Sequence, residues 1–314
     1  MNLSALSPRV LALVGLLGWV YWPTVLELYE TWTTSPEYSH GLLVPFFAAY
    51  LLLKLKPSNA VTNPWPILGF STLLLAIVMR LVGSATSFLP IEGVSLVLCI
   101  ASLVMIAGGR AAVSRYWPPI VFLLFMIPLP YEASRMLGEE LQKIATIAST
   151  FLLQCFGQPA IAEGNRILIR DVTLNVVEAC SGLRMLVTFA AFSVAAAFVM
   201  ERHWIVKGLV LASTVPIALL TNVLRIVATG LAHVWLQDSA SKGKVLDFIH
   251  DFNGWMMMPI GLTFLLLELW VLKHLLIEKS AVHRPQSTVS PKLGTPAAVK
   301  TTVKPRFASV IRMP

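Results

Sequence analysis

Long apolar runs separated by short polar breaks fill the first 130 residues and return after residue 182. A hydrocarbon core of about 30 Å needs roughly 20 helical residues to cross it. By that measure the pattern predicts membrane-crossing helices near 10–28, 40–53, 66–84, 92–108, 116–130, 183–200, 208–232 and 254–276. The second and fifth runs are the shortest. The first run meets Pro23 and Glu27 with no small-residue cleavage site behind it, so it reads as a retained span rather than a removed signal.

Residues 131–182 break the rhythm. From Tyr131 to Phe156, Leu137, Leu141, Ile144, Ala148 and Phe151 fall on one helical face, and Arg135, Glu139, Gln142 and Lys143 on the other. That period predicts an amphipathic helix lying in the membrane interface. From Ile161 to Val177 the period shortens. Ile167 and Ile169, then Val172, Leu174 and Val176, alternate with polar residues about Arg170-Asp171, which predicts a short β-hairpin. The hairpin runs directly into Glu178-Ala179-Cys180-Ser181-Gly182.

Composition agrees with the pattern: 56% of the 314 residues are hydrophobic and 13% charged, against about a quarter charged in soluble domains. The formal charge of +8 is concentrated after the last run, in residues such as Lys279, Arg284, Lys292, Lys300 and Arg306. A basic segment at a membrane exit points to anionic lipid on the cytoplasmic side, not to nucleic acid. Lys54, Lys56, Arg110, Arg115, Arg202 and Lys207 fall on the same side as this tail if eight runs cross, and the loop 29–39 opposite has Glu30 and Glu37 without Lys or Arg. Arg80, Lys242 and Lys244 oppose the bias. The fold class expected is an all-α polytopic integral membrane protein, with about eight transmembrane helices, an interfacial helix and a short outer-face hairpin. Residues 1–278 form the membrane domain, with 131–179 on its outer face, and 279–314 form a basic, disordered cytoplasmic tail.

The candidate chemistry gathers at one face of that topology. Cys180 opens the sixth run, Arg225 lies about 26 Å along the seventh from Gly208, and His250 precedes the eighth. A thiol near a helix N-terminus or a cation has a lowered pKa, and its thiolate is a nucleophile. A histidine relays protons near neutral pH, and an arginine stabilises a thiolate or an oxyanion. Together these suffice for acyl transfer. Each residue also has an ordinary reading: cysteine as a packed apolar side chain, assigned here to Cys99 and Cys155, arginine as a snorkelling cation, and histidine as a solvated interface residue. Glu268, inside the eighth run, is expected to pair with an inner-side cation. A transporter would need polar groups at the bilayer midplane, and a lipid or glycan transferase would have no need of Cys180.

Glu178-Ala-Cys-Ser-Gly-Leu-Arg184, Asn222-Val-Leu-Arg225-Ile226 and His250-Asp-Phe-Asn-Gly-Trp255, with Tyr38-Ser39-His40-Gly41 upstream, resemble the exosortase/archaeosortase signature in order and spacing. The resemblance implies a membrane-embedded cysteine protease or transpeptidase in the bacterial inner membrane, its site facing the periplasm. Its partners would be exported proteins ending in a Pro-Glu-Pro motif, a transmembrane helix and a basic tail, together with membrane lipid and an acceptor that is lipid- or exopolysaccharide-linked. It implies a triad of Cys180, Arg225 and His250, supported by Glu178, Ser181, Arg184, Asn222, Asp251, Tyr38 and His40, with no metal and no cofactor. Histidine at the third triad position resembles the bacterial exosortases, and Asn253 departs from the usual serine.

Overall fold

The structure, a computed structural model, describes residues 8–55, 66–170, 172–176, 182–236 and 242–275, with backbone alone for 8–14, 242–251, 253–255 and 275. Helix α1 (Pro8–Thr34) leads through a 3-10 turn (Pro36–Leu42) into α2 (Val44–Lys54), α3 (Pro66–Thr86) and α4 (Leu89–Phe122), and a second 3-10 turn (Leu123–Met126) follows. The interruption then forms α5 (Tyr131–Cys155) and strands β1 (Ala160–Glu163), β2 (Arg166–Ile169) and β3 (Val172–Asn175). Helices α6 (Gly182–Val199), α7 (Trp204–Trp235) and α8 (Lys242–Leu275) complete the described chain.

Helix α4 doubles back on itself. A straight helix of 34 residues would run about 51 Å, yet a Cβ built on Gly93 would sit 2.9 Å from the Ile127 side chain. The reversal falls at Gly109, whose φ of 58° and ψ of −149° lie outside the helical region and suit only glycine. The apolar runs 92–108 and 116–130 therefore lie side by side, and Leu96 and Val97 share a core with Phe122 and Met126.

Small residues set the helix contacts. Gly69, Ala76 and Gly83 form the buried stripe of α3; a Cβ on Gly69 would lie 2.5 Å from Ile106, and one on Gly83 2.6 Å from Glu92. The opposite face of α3 exposes Ile67, Phe70, Leu74 and Leu81. Small inside and large outside is the arrangement of helices packed in lipid, where tails solvate large apolar side chains as well as a protein core does. The chain is a multi-pass membrane protein. Among the described residues five helices are long and apolar enough to cross, over 66–86, 89–126, 182–199, 204–235 and 256–274. Eight full crossings are not reached on length and hydropathy; α2, with 11 residues, covers only about 16 Å.

The interfacial segment forms as a helix, but its orientation reverses the soluble pattern. Gly138, Gln142, Ala145, Thr146, Ser149, Thr150 and Leu153 face the protein. The large apolar residues of the predicted face, Leu137, Ile144 and Phe151, are exposed beside Met136 and Ile147, while Gln142, placed on the polar face, packs inward. With lipid as the solvent on that side, the large residues turn outward and the small polar ones pack. The expected hairpin is part of a three-stranded antiparallel sheet: β2 and β3 pair Ile167 with Leu174 and Ile169 with Val172, and β1 adds to β2 through the Gly164-Asn165 turn. Inward residues Ile167, Ile169, Leu174 and Val176 pack with Ala145 and Leu153 of α5 and with Val223, Ile226 and Val227 of α7. A Cβ on Gly230 of α7 would lie 3.1 Å from both Ile169 and Leu174. The sheet therefore sits against the C-terminal half of α7.

Two acidic side chains find partners within these helices, and for Glu268 the partner is not the cation expected. Glu268 accepts from Ser213 Oγ at 2.6 Å, a hydroxyl and not a cation. Glu92, buried in α4, lies 2.6 Å from Arg80 Nη1 of α3 and accepts from Thr24 Oγ1 of α1 at 2.6 Å. Arg80 is thus neutralised within the bundle, which removes it from the loop charges that opposed the topology.

Candidate active site

The inward face of α7 is polar for a helix of this hydropathy. Thr214, Thr221, Asn222, Arg225 and Thr229 are all buried. Asn222 and Arg225 are three residues apart and so share one face. Asn222 is 1% exposed, and neither its Oδ1 nor its Nδ2 has a hydrogen-bond partner. Arg225 is 6% exposed; its Nε is buried without a partner, and the carboxylates paired with cations among the described residues serve Arg80, Arg135 and Lys143 instead. A buried amide and a buried cation left open are costly in a folded protein, and in a membrane protein they mark function.

The open amide faces the start of α6. A Cβ on Gly182 would lie 3.2 Å from Asn222 Nδ2 and 3.4 Å from Leu141 of α5. Any larger residue at 182 would press on the amide, so glycine there lets α6 begin at the junction of α5 and α7. Gly182 follows Cys180 by two residues. Glu178, Cys180 and Ser181 lie outside the described residues. Arg184 is half-buried in the first turn of α6.

His250 and Asp251 precede the apolar span of 256–274, as expected, but they are already helical. The sequence places His250 ahead of the eighth run, whereas α8 already begins at Lys242, so both residues stand within the helix, about 12 Å beyond its start. The other cysteines separate from this region: Cys99 is half-buried among α1 and α4 residues, and Cys155, expected to be packed, is exposed at the end of α5.

The residues 38–41 hold the first 3-10 turn in place. His40 is 5% exposed with its Nε2 3.1 Å from the Phe125 carbonyl, and burial lowers its pKa below the ordinary histidine value. Gly41 lies under the Trp32 indole, whose Nε1 donates to the Met126 carbonyl at 2.8 Å. Tyr38 and Ser134 share a hydroxyl–hydroxyl bond of 2.9 Å that ties the turn to α5.

Between that turn and α5 lies a cleft of about 640 Å³, reaching Leu183 at the start of α6. Its lining includes Glu37, Ser134, Gly138 and Glu139, none of which the sequence singles out as a site residue. Gly138 was the available signal, a glycine in a run of helix formers with no turn to require it. Among the described residues no three His, Cys, Asp or Glu side chains come together as a metal site.

Compared with known families, the chain matches the one described as Transmembrane exosortase (Exosortase_EpsH) over residues 32–267. A search of curated proteins and a search of solved structures find no match. The matched stretch takes in the first 3-10 turn, α5, the sheet, Asn222, Arg225 and His250, and it covers well over half of the sequence. The chain belongs to the transmembrane exosortase family.

Proposed function

We propose that the protein is a cysteine transpeptidase that processes exported proteins at a C-terminal sorting signal, with Cys180 as nucleophile and Arg225 and His250 completing the triad. The observation that carries the reading is the pair of open polar groups buried on α7: Asn222, which lies against Gly182 two residues from Cys180, and Arg225 three residues further along the same face. A cation buried without a carboxylate partner is suited to an anion that exists only during reaction, a thiolate or an oxyanion.

In this mechanism the Cys180 thiolate attacks the scissile carbonyl carbon, and the carbonyl oxygen takes up the negative charge beside Arg225. The C–N bond breaks as the tetrahedral intermediate collapses to a thioester, and the leaving amine takes a proton from His250. An acceptor nucleophile then gives its proton to His250, adds to the thioester carbonyl and releases the thiolate. Water in that role makes the protein a protease. The substrate carries a Pro-Glu-Pro-like motif, an anchor helix and a basic tail, and the acceptor is lipid- or glycan-linked. Glu178, Ser181, Arg184 and Asp251 support the site, and no metal or cofactor takes part.

The topology that suits this chemistry has eight apolar segments, with α1, α2 and the two arms of α4 adding to α3, α6, α7 and α8. Both termini and the basic tail of 279–314 face the cytoplasm, the domain of 1–278 sits in the bacterial inner membrane, and α5 and the sheet face the periplasm. The fold-back at Gly109, which brings Arg110 and Arg115 to one end, supports that count. Pairing of Arg80 with Glu92 supports the orientation.

Cys180→Ala tests the mechanism. Processing of a co-expressed reporter with such a signal should disappear while the variant accumulates in membranes, because no other side chain replaces the thiolate. Cys99→Ala and Cys155→Ala should process normally. Normal processing by Cys180→Ala ends the cysteine reading.

A further inference from the structure

The cleft beside the first 3-10 turn differs in kind from an apolar groove elsewhere in the fold. That other groove, of about 450 Å³ between α2 and α4, is lined by Pro45, Ala48, Leu52, Ile100 and Ile120 and is apolar throughout. The cleft beside the turn presents hydrogen-bonding groups: the Glu37 and Glu139 carboxylates, the Tyr38 and Ser134 hydroxyls and the Gln142 amide. Its walls are fixed. Tyr38 and Ser134 are bonded across one end, and Asn165 Nδ2 donates to Gln142 Oε1 at 3.0 Å across the other. Its floor is open, since a Cβ on Gly138 would meet nothing within 4 Å although the residue itself is buried. A glycine costs about 1 kcal/mol in a helix relative to alanine, and no packing contact within the protein requires this one.

We propose that this cleft binds the substrate polypeptide on the exported side of the scissile bond, as an extended segment bearing neutral or cationic side chains. The inference rests on the transpeptidase reading. The anchor helix on the other side of the scissile bond needs lipid, whereas this cleft is lined mainly by the interfacial helix and the 3-10 turn and touches the five membrane-length helices only at Leu183, in the first turn of one of them. Leu183 lines its inner end, three residues from Cys180, so a chain leaving the nucleophile outward enters it. An extended backbone offers N–H donors that the carboxylates and hydroxyls accept. The charge selection follows from the arginine. Arg135 is the one cation in the lining, and its donors are held by Glu132 and Glu139 at 2.7–3.2 Å. Glu37 has no such cation among the described salt bridges, which leaves the cleft acidic and unfavourable to an acidic flank.

The test uses the full chain in membranes with an exported reporter ending in a Pro-Glu-Pro motif, an apolar helix and a basic tail. Gly138→Leu fills the floor and should lower processing about tenfold through KM, with kcat little changed; Met136→Ala, on the lipid-exposed side of the same helix, should process as wild type. Two aspartates placed in the reporter's exported flank should lower processing by a similar factor, and Glu37→Lys should restore it. Tyr131→benzoylphenylalanine, at the exposed rim, should crosslink to that flank on illumination, and this arm decides the matter if Gly138→Leu fails to accumulate. Wild-type KM in Gly138→Leu, indifference to the aspartates, or crosslinks to the reporter's anchor helix instead of its flank would each overturn the proposal. Retained crosslinking in a Cys180→Ala background that still processes the reporter would support the cleft while removing the nucleophile.

Discussion

Arg80 and Arg225 are both buried in apolar helices, and their surroundings differ in every respect that matters. Arg80 meets Glu92 at 2.6 Å, approaches the Val20 carbonyl at 3.4 Å and lies 5.5 Å from the centre of the Tyr21 ring. Glu92 is in turn held by Thr24, and Ser95 reaches both Tyr21 and the Glu92 carbonyl. The contact between Arg80 Nη1 and Glu92 is an ion pair by distance, while Nη1 itself lacks a well-aligned hydrogen bond. Arg225 has a buried Nε with no acceptor, beside an amide with none either. One cation is satisfied by the fold, so it holds three helices together. The other has its Nε left open among the described residues, and the proposed mechanism gives it the charge of a thiolate or an oxyanion.

The largest effect should come from breaking the satisfied pair. Removing one member of a buried ion pair costs about 3–5 kcal/mol, because the survivor is left charged and unpaired. Arg80→Met should therefore lose most of its resistance to heat or denaturant in detergent, and Arg80→Met/Glu92→Leu should recover most of it. Processing per folded molecule should stay at the wild-type level in both. A double variant no more stable than the single one would show that the polar cluster, and not the pair, holds α1, α3 and α4.

Arg225 should behave in the opposite way. It forms no salt bridge among the described residues, so Arg225→Lys should leave stability unchanged. Lysine keeps the charge but loses the planar fork, and loss of one preorganised donor to an oxyanion costs about 100–1,000-fold in rate. The measurement is the ratio of processed to unprocessed reporter at matched expression. Equal processing by Arg225→Lys and wild type would return Arg225 to the role of an ordinary interface cation and leave the site with Cys180 and His250.

The contrast between the two arginines was only half legible in the sequence. Residue type and spacing placed Arg225 with Asn222 on one helical face, and the 3.6-residue period and apolar runs located most helices to within a few residues. Arg80 read as a charge on the wrong side, because its partner Glu92 belongs to another run and pairing across 12 residues of sequence carries no local signal. The apolar face of α5 was legible, since Leu137 and Phe151 turn outward as an interfacial helix requires, but Gln142, read as part of the polar face, packs inward with Gly138. The strand β1 was missed as a separate element because Ala160–Glu163 has only Ile161 as a β-branched residue, so its place comes from pairing with β2. The return of α4 at Gly109 was legible as a break between runs, since Arg110 follows at once.

Asn222 gives the smallest and sharpest comparison between a group that stabilises and a group that is held ready. Its amide is 1% exposed with both polar atoms unpartnered, so in the resting protein it costs stability, on the order of 1–3 kcal/mol for a buried group without hydrogen bonds. Asn222→Leu keeps the branching and heavy-atom count of the side chain and removes that cost, and it should be more stable than wild type by about 1 kcal/mol once the larger methyls are accommodated against Gly182. Processing should fall at the same time, since the amide is placed to assist whatever group reacts beside Arg225. A variant that gains stability and loses activity has surrendered a strained functional group. Lower stability with full processing would mean that the amide only fills space between α6 and α7, and Asn222 would then join Arg80 on the structural side of the comparison.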